Sequence, residues 1–276
     1  MRRRRALVLT VVFVLSAPIV IPFLSRSLTD SMLFHPERGQ SRTPAALGLG
    51  YSELGLQTED GITIQAWWIP FRGDPAVDRN LAVVTFHGNA GTLADRLEHT
   101  RLLHDLGVST LAVEYRGYGD SEGSPSEDGL ALDARAGLAE ARRRIGGGKV
   151  LVHGRSLGGA VAIGLAADQP VDGLMVESTF TSLGEMAGHT GIPLASRLVA
   201  YRFASEEGIA RVQAPVLVVQ GRQDELIPVA MGERLRDAAP DADWFEVSDG
   251  RHNDTWLRGG ADYWSAVAAW LGRCGG

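Results

Sequence analysis

The residues best suited to chemistry are Gly154-Arg155-Ser156-Leu157-Gly158, a G-x-S-x-G pattern. It follows an apolar run at 149–153 and opens a run of small residues at 157–167, so strand, tight turn and helix succeed one another. A Cβ at either glycine would collide with the chain as it reverses at Ser156. The reversal lifts the Ser156 hydroxyl above the sheet, at a helix N-terminus that favours negative charge. A serine hydroxyl is a weak nucleophile and needs a base, itself oriented by an acid. For a nucleophile on such a turn the chain order is Ser, then acid, then His. Asp224 follows the apolar run 215–220, within Gly221-Arg222-Gln223-Asp224. His252 follows the last apolar run and is the one histidine downstream of Asp224. Glu177, at the end of the run 173–177, is the rival acid.

Acyl transfer to a serine also needs donors to the developing oxyanion. The backbone N–H of Leu157, next to the nucleophile, supplies one. The loop His87-Gly88-Asn89-Ala90-Gly91 supplies the other, through the N–H of Asn89. His87, beside that turn, reads as a structural hydrogen-bonding residue, and His153, inside a strand, as packed core. His35, His99, His104 and His189 show no metal-ligand spacing. The glycine-rich loop Tyr115-Arg116-Gly117-Tyr118-Gly119-Asp120-Ser121-Glu122-Gly123 reads as a brace for the oxyanion loop, with Arg116 pairing with Asp120. Nothing in the pattern calls for a cofactor or a metal.

These residues must be positioned by the elements between them. Residues 51–58 and 62–69 alternate as a hairpin turning at Glu59-Asp60-Gly61. Apolar strands at 81–86, 110–115, 149–153, 173–177, 215–220 and 244–247 then alternate with helical stretches at 93–106, 127–145, 157–167, 229–238 and 263–271. Continuous apolar strands each followed by a helix predict an α/β fold with a mostly parallel, doubly wound sheet and an antiparallel edge hairpin. In such sheets the chemistry gathers at the C-terminal ends of the strands. The 37 residues between Glu177 and Pro215 allow only a small cap. Met186, Ile192, Leu194, Leu198 and Phe203 there either line an apolar site or pack as helix core.

The chain of 276 residues is 45% hydrophobic and 22% charged, with 34 Gly and 12 Pro, and carries a net charge of −6. That excludes disordered and collagen-like chains. Without Arg2–Arg5, 23 basic residues face 33 acidic ones, a balance of −10. An acidic body without a basic stripe argues against nucleic-acid binding. The single cysteine, Cys274, rules out an intrachain disulfide and a Cys-rich metal site. After Arg2–Arg5, residues 6–24 carry no charge. Nineteen residues span about 28 Å as a helix, close to the hydrocarbon thickness of a bilayer. An uncleaved signal anchor over 1–24 is favoured over a cleaved signal peptide, since Pro18 follows the candidate cleavage site Ser16-Ala17. The basic N-terminus would stay in the cytoplasm, placing the rest in the periplasm or outside the cell, secreted if the segment is cleaved. Residues 25–50 read as a linker, and 51–276 as one catalytic domain.

The ordered set HGNAG (87–91), YRGYGDSEGSPSE (115–127), GRSLGGAVA (154–162), ESTFTSL (177–183), GRQDELIP (221–228) and GRHND (250–254) resembles the membrane-anchored α/β-hydrolases. The likeness runs from Leu33 to Leu271. It is strongest to the signal-anchored branch related to depalmitoylating thioesterases and lysolipid lipases. The resemblance implies the α/β-hydrolase fold, a Ser156–Asp224–His252 triad, and Asn89 and Leu157 as oxyanion donors. It leaves the substrate open, because this scaffold hosts many chemistries. The expected activity is a serine hydrolase cleaving carboxylic esters or thioesters of a small molecule, lipid or acylated protein. A prolyl-oligopeptidase-like peptidase and a catalytically inactive membrane-tethered binding module are the alternatives.

Overall fold

The apolar runs assemble into one eight-stranded sheet. The computed structural model describes residues 25–189, 196 and 199–275, so the expected span at 6–24 lies outside the described residues. Among the described residues no helix is long and apolar enough to cross a membrane. β1 (Ser52–Gln57) and β2 (Thr63–Ile69) form the antiparallel edge hairpin. β3 (Leu81–Phe86), β4 (Ser109–Val113), β5 (Lys149–Arg155), β6 (Gly173–Glu177), β7 (Val216–Gly221) and β8 (Ala242–Val247) run parallel, and β2 joins them antiparallel to β4. The strand order is 1-2-4-3-5-6-7-8. This is the α/β-hydrolase fold.

Helices cover both faces of the sheet. Those before β6 are α1 (residues 25–33), α2 (Leu97–Asp105), α3 (Glu127–Ile145) and α4 (Leu157–Asp168). After β6 come α5 (Leu183–Gly188), α6 (Ser205–Ile209), α7 (Val229–Ala238), α8 (Thr255–Arg258) and α9 (Gly260–Gly275). Alternation within each apolar strand divides the core. Val84, Val152, Val176 and Val218 pack on the side of α3 and α4, and Val83, Leu151, Met175 and Leu217 on the side of α9. α3 shows how local chemistry sets a boundary: Ser126 Oγ accepts from the Gly129 N–H at 3.1 Å, Glu127 and Asp128 occupy the first turn, and Gly146 ends the helix at φ 60°.

Several elements differ from the sequence reading. The stretch 93–106 is a 3-10 turn (Leu93–Arg96) followed by α2, because the Asp95 carboxylate caps the Thr92 N–H at 2.8 Å. Residues 25–50 carry structure of their own: α1, a two-residue parallel ladder of His35–Pro36 with Ala90–Gly91, and a 3-10 turn at Pro44–Leu47. Arg116 does not pair with Asp120. Its Nε donates to Asp133 Oδ1 on α3 at 2.9 Å and its Nη1 to Asp60 Oδ2 at 2.8 Å, because the turn through Gly117 and Gly119, both at positive φ, carries Asp120 away. The cap between β6 and β7 is α5 and α6 with their connections. Within it Phe203 is core, edge-on to Phe180 at 6.4 Å, and Ile192, Leu194 and Leu198 lie outside the described residues.

Backbone approaches backbone closely where β5 turns into α4. A Cβ on Gly158 would sit 2.1 Å from the carbonyl oxygen of Phe86 and 2.5 Å from that of His87. Both neighbours are backbone and cannot swing aside. Gly158→Ala is therefore expected to lower unfolding free energy by at least about 3 kcal/mol, beyond the usual range for overpacking. Gly164→Ala, whose Cβ meets nothing within 4 Å in the same helix, should be neutral or slightly stabilising. Urea unfolding of the two variants checks this contrast.

Candidate active site

Ser156 ends β5 and opens α4 with φ 54° and ψ −121°, a conformation rare for a residue with a side chain. Three hydrogen bonds hold it there. Its N–H donates to the Glu177 carbonyl at 2.9 Å, while its own carbonyl accepts from the Gly159 N–H at 2.9 Å and the Thr179 hydroxyl at 2.7 Å. The turn needs both flanking glycines, since a Cβ on Gly154 would lie 2.0 Å from the Gly158 carbonyl oxygen.

The structure brings the other two expected residues to this hydroxyl. His252 Nε2 lies 3.1 Å from Ser156 Oγ, and His252 Nδ1 lies 2.9 Å from Asp224 Oδ2 and 3.1 Å from Oδ1. Asp224 follows β7 and His252 follows β8, so adjacent strand ends deliver acid and base. The Asp224 carboxylate is shielded from solvent and fully satisfied: Oδ1 accepts from the N–H groups of Leu226 and Ile227 at 2.9 and 2.8 Å, and Oδ2 from Gln220 Nε2 at 3.2 Å. Burial pushes this carboxyl up. The hydrogen bond and charge of His252, with the two backbone donors, outweigh burial and hold it below the ordinary value of 3.8. An ionised Asp224 fixes the proton on His252 Nδ1 and leaves Nε2 as the acceptor facing Ser156.

Asn89 and Leu157 line the same cleft as Ser156. Phe86 pairs in register with Gly154, so the loop after β3 passes beside the turn, and a Cβ on Gly88 would lie 3.6 Å from Ser156 Cβ. The Asn89 carbonyl accepts from the His35 N–H at 3.0 Å and the Tyr118 hydroxyl at 2.8 Å, and its side-chain amide donates to the Leu33 carbonyl at 3.0 Å. Tyr115 donates to the His87 carbonyl at 2.9 Å. The 115–123 loop thus braces the 87–91 loop, and the 25–50 segment braces it from the other side. His87 is buried between Gly88 O, 2.7 Å from Nδ1, and Glu114 Oε1, 2.8 Å from Nε2, away from Ser156 Oγ. Ser156, Leu157, Asn89 and His252 open on a cleft whose apolar wall includes Leu33, Phe180, Leu183, Met186, Leu226 and Ile227.

A family model described as serine aminopeptidase, S33, matches residues 78–206. An Arabidopsis thaliana α/β hydrolase domain-containing protein, WAV2, is 35% identical over 83% of this chain and 81% of its own. The chain belongs to the α/β-hydrolase family. Other family relatives are a Saccharomyces cerevisiae protein named an uncharacterized membrane protein, 31% identical over 85% of this chain and 84% of its own, and the Danio rerio lysophosphatidylserine lipase ABHD12, 32% identical over 67% and 57%. Among solved structures a Pyrococcus furiosus esterase superposes with a TM-score of 0.73 at 22% identity, covering 88% of this chain and 98% of its own, and shares the fold.

In this α/β-hydrolase the residue at the variable position of the elbow has a task that spacing could not show. Arg155 Nη2 donates to the His252 carbonyl and, at 3.0 Å, to Asn253 Oδ1. Behind it lies Glu177, fully buried. The Glu177 carboxylate accepts from Thr255 Oγ1 and from the Tyr263 hydroxyl at 3.1 Å, and lies 3.9 Å from Arg155 Nε and 3.6 Å from His153 Nε2. The Glu177 carboxylate thus bonds to Thr255 and Tyr263 rather than to the His252 ring; it ties the segment after His252 to the end of β6, while Arg155 ties the His252 loop to β5. None of these ties was legible in the sequence, because His252, Thr255 and Tyr263 lie far along the chain from Arg155 and Glu177. Burial alone pushes the Glu177 carboxyl up, and His153 and Arg155 outweigh it, holding it well below the ordinary 4.5.

His99, His153 and Glu177 gather ligand-type atoms within 4.8 Å of one another. Both Glu177 oxygens already accept hydrogen bonds and the Arg155 guanidinium stands beside them, so the charge balance there does not suit a cation. Burial, then the neighbouring His153, push the His99 pKa down to about 3, keeping that ring neutral.

A folded carboxyl held below its unfolded value contributes stability above the unfolded pKa and loses it as pH falls through the folded one. Glu177→Gln should cost about 3–5 kcal/mol at pH 7, the range for removing one partner of a buried charge pair. The difference from wild type should shrink steadily below pH 4.5. Urea melts at pH 7 and pH 4 measure it; a gap that widens on acidification contradicts the assignment.

Proposed function

We propose that this protein is a membrane-tethered serine acyl hydrolase that cleaves carboxylic esters or thioesters. The observation that carries the reading is the hydrogen-bonded line from Asp224 through His252 to Ser156 Oγ. His252 Nε2 takes the Ser156 proton as Oγ attacks the acyl carbonyl carbon. The oxyanion that forms faces the N–H groups of Leu157 and Asn89, at the positive end of α4. His252 then gives its proton to the departing alkoxide or thiolate, leaving the acyl group on Ser156. Water repeats the sequence: His252 takes its proton, hydroxide adds to the acyl carbon, and collapse releases the acid and reprotonates Ser156. The apolar wall of Phe180, Leu183, Met186 and Ile227 suits an acyl chain.

Two observations support the tether: the uncharged stretch 6–24 behind Arg2–Arg5, and a yeast relative named a membrane protein. In this reading 1–24 anchors the chain, 25–50 connects and braces, and 51–276 carries the chemistry outside the cytoplasm. The lysophosphatidylserine lipase among the relatives supports lipid or acylated substrates. The family model described as a serine aminopeptidase favours a second reading, cleavage of an amide by the same three residues.

Labelling with a fluorophosphonate is expected to place one adduct on wild-type protein and none on Ser156→Ala. Ester turnover in that variant should fall by at least about 10⁴-fold. Across p-nitrophenyl esters, medium or long acyl chains should be preferred. Preference for the shortest chains would count against an acyl-chain site, turnover of aminoacyl amides with poor ester turnover would favour the peptidase, and absence of any adduct would leave a binding module.

A further inference from the structure

A second cavity adjoins the cleft, enclosed by the ends of β3 and β5, by α2 and by α8. Arg96, Arg155 and Asn253 line both spaces, so the two meet at the guanidiniums. Its lining is unusual in what it leaves unpaired. Arg96 Nε and Arg155 Nε are buried and make no hydrogen bond among the described residues, and the same holds for both ring nitrogens of His153. A guanidinium Nε–H can only donate, so what is missing is an acceptor.

The acidic groups nearby are engaged elsewhere. Asp95 Oδ2 caps the Thr92 N–H at 2.8 Å, Glu98 pairs with Arg42 at 2.7 Å, and the Glu177 oxygens take Thr255 and Tyr263, with Oε1 3.9 Å from Arg155 Nε. Arg96 donates from Nη2 to the Ala90 carbonyl at 2.8 Å. Burial, and then the like charge of Arg155, push the Arg96 pKa down, so the two cations feel each other. Arg155 keeps Glu177 as an ion-pair partner, but its Nε–H and that of Arg96 have no acceptor among the described residues; buried cationic donors of this kind are satisfied best by an anion, through short charge-assisted hydrogen bonds.

We propose that this cavity binds an anionic group, a carboxylate or a phosphate, carried on the leaving-group side of the acyl substrate cleaved at Ser156. The inference rests on the acyl-hydrolase reading and narrows its substrate class. The side assignment follows from the walls. Phe180, Leu183 and Met186 line only the cleft and suit an acyl chain, with no partner for a charged group, whereas Arg96 and Arg155 line both the cleft and the adjoining cavity. Specificity for the charge then comes from donors that stay unpaired when a neutral group sits in their place.

Three octanoate esters that differ in the para group of the phenol test this: 4-carbamoylphenyl, 4-carboxyphenyl and 4-phosphonophenyl octanoate, each rate divided by that ester's alkaline hydrolysis rate. Wild-type kcat/KM should favour an anionic ester over the carbamoyl ester by about tenfold or more, and the better of the two anions tells carboxylate from phosphate. In Arg96→Gln, checked for an intact melting transition, that ratio should fall by about tenfold, the loss of one charge-assisted hydrogen bond. Independently of any variant, inorganic phosphate should raise the wild-type KM for the anionic esters, and sodium chloride at equal ionic strength should not. Ratios near one with all three esters turned over, or an unchanged ratio in Arg96→Gln, would overturn the subsite and leave the hydrolase reading standing. Turnover of none of the three by wild type would overturn that reading and the subsite with it.

Discussion

One close approach governs the site: the chain folds back at Ser156 so tightly that only hydrogen fits at Gly154 and Gly158. The reward is a serine whose side chain stands clear of the sheet, at the start of α4, with a positive φ of 54°. Holding a residue with a side chain in that region costs about 1–3 kcal/mol. The neighbouring strand offsets it: the Glu177 carbonyl and the Thr179 hydroxyl, both just after or at the end of β6, fix the amide and carbonyl of Ser156. The strained turn is thus supported from outside itself, by a sheet whose central strands are closed to water on both faces.

The loops that meet at Ser156 are held by buried polar and ionic pairs as well as by apolar packing. Glu177 and Arg155 join the His252 loop to β5, Glu114 and His87 join the oxyanion loop to β4, and Asp133 and Arg116 join the bracing loop to α3. Each pair links a strand end to a segment that carries a reacting group or its support. Such pairs have a cost. Burial pushes the Asp133 carboxyl up to about 6 despite its bonds to Arg116. Where such a pair is hydrogen-bonded, as Arg116 is to Asp133, it provides direction, since a charged hydrogen bond fixes an angle where an apolar contact does not. The exposed ion pairs, such as Arg273 with Asp241, contribute little by comparison.

The parallel sheet and its helices could be read from the sequence because both depend on local pattern: apolar runs of strand length, Gly and Pro between them, and a Ser framed by Gly. Asp224 and His252 were legible for a related reason, each falling just past an apolar run in the order the chemistry requires. What stayed hidden depends on distance along the chain. The tie from Glu177 to Thr255 and Tyr263, the stacking of His99 on His153 at 4.9 Å, and the pairing of Arg116 with Asp60 join residues that no spacing rule connects. The role of residues 25–50 was hidden for another reason. A polar stretch punctuated by Pro and Gly has the composition of a linker, and only its contacts with the Asn89 loop show that it supports the site.

The central claim is that Asp224, held ionised, makes His252 a base aimed at Ser156. The rate constant for fluorophosphonate labelling of Ser156 in Asp224→Asn measures this most directly, because it reads the reactivity of the hydroxyl without any assumption about the natural substrate. A fall of about 10³–10⁴-fold from wild type, with the melting transition retained, is the predicted result. Labelling within about threefold of wild type would contradict the account.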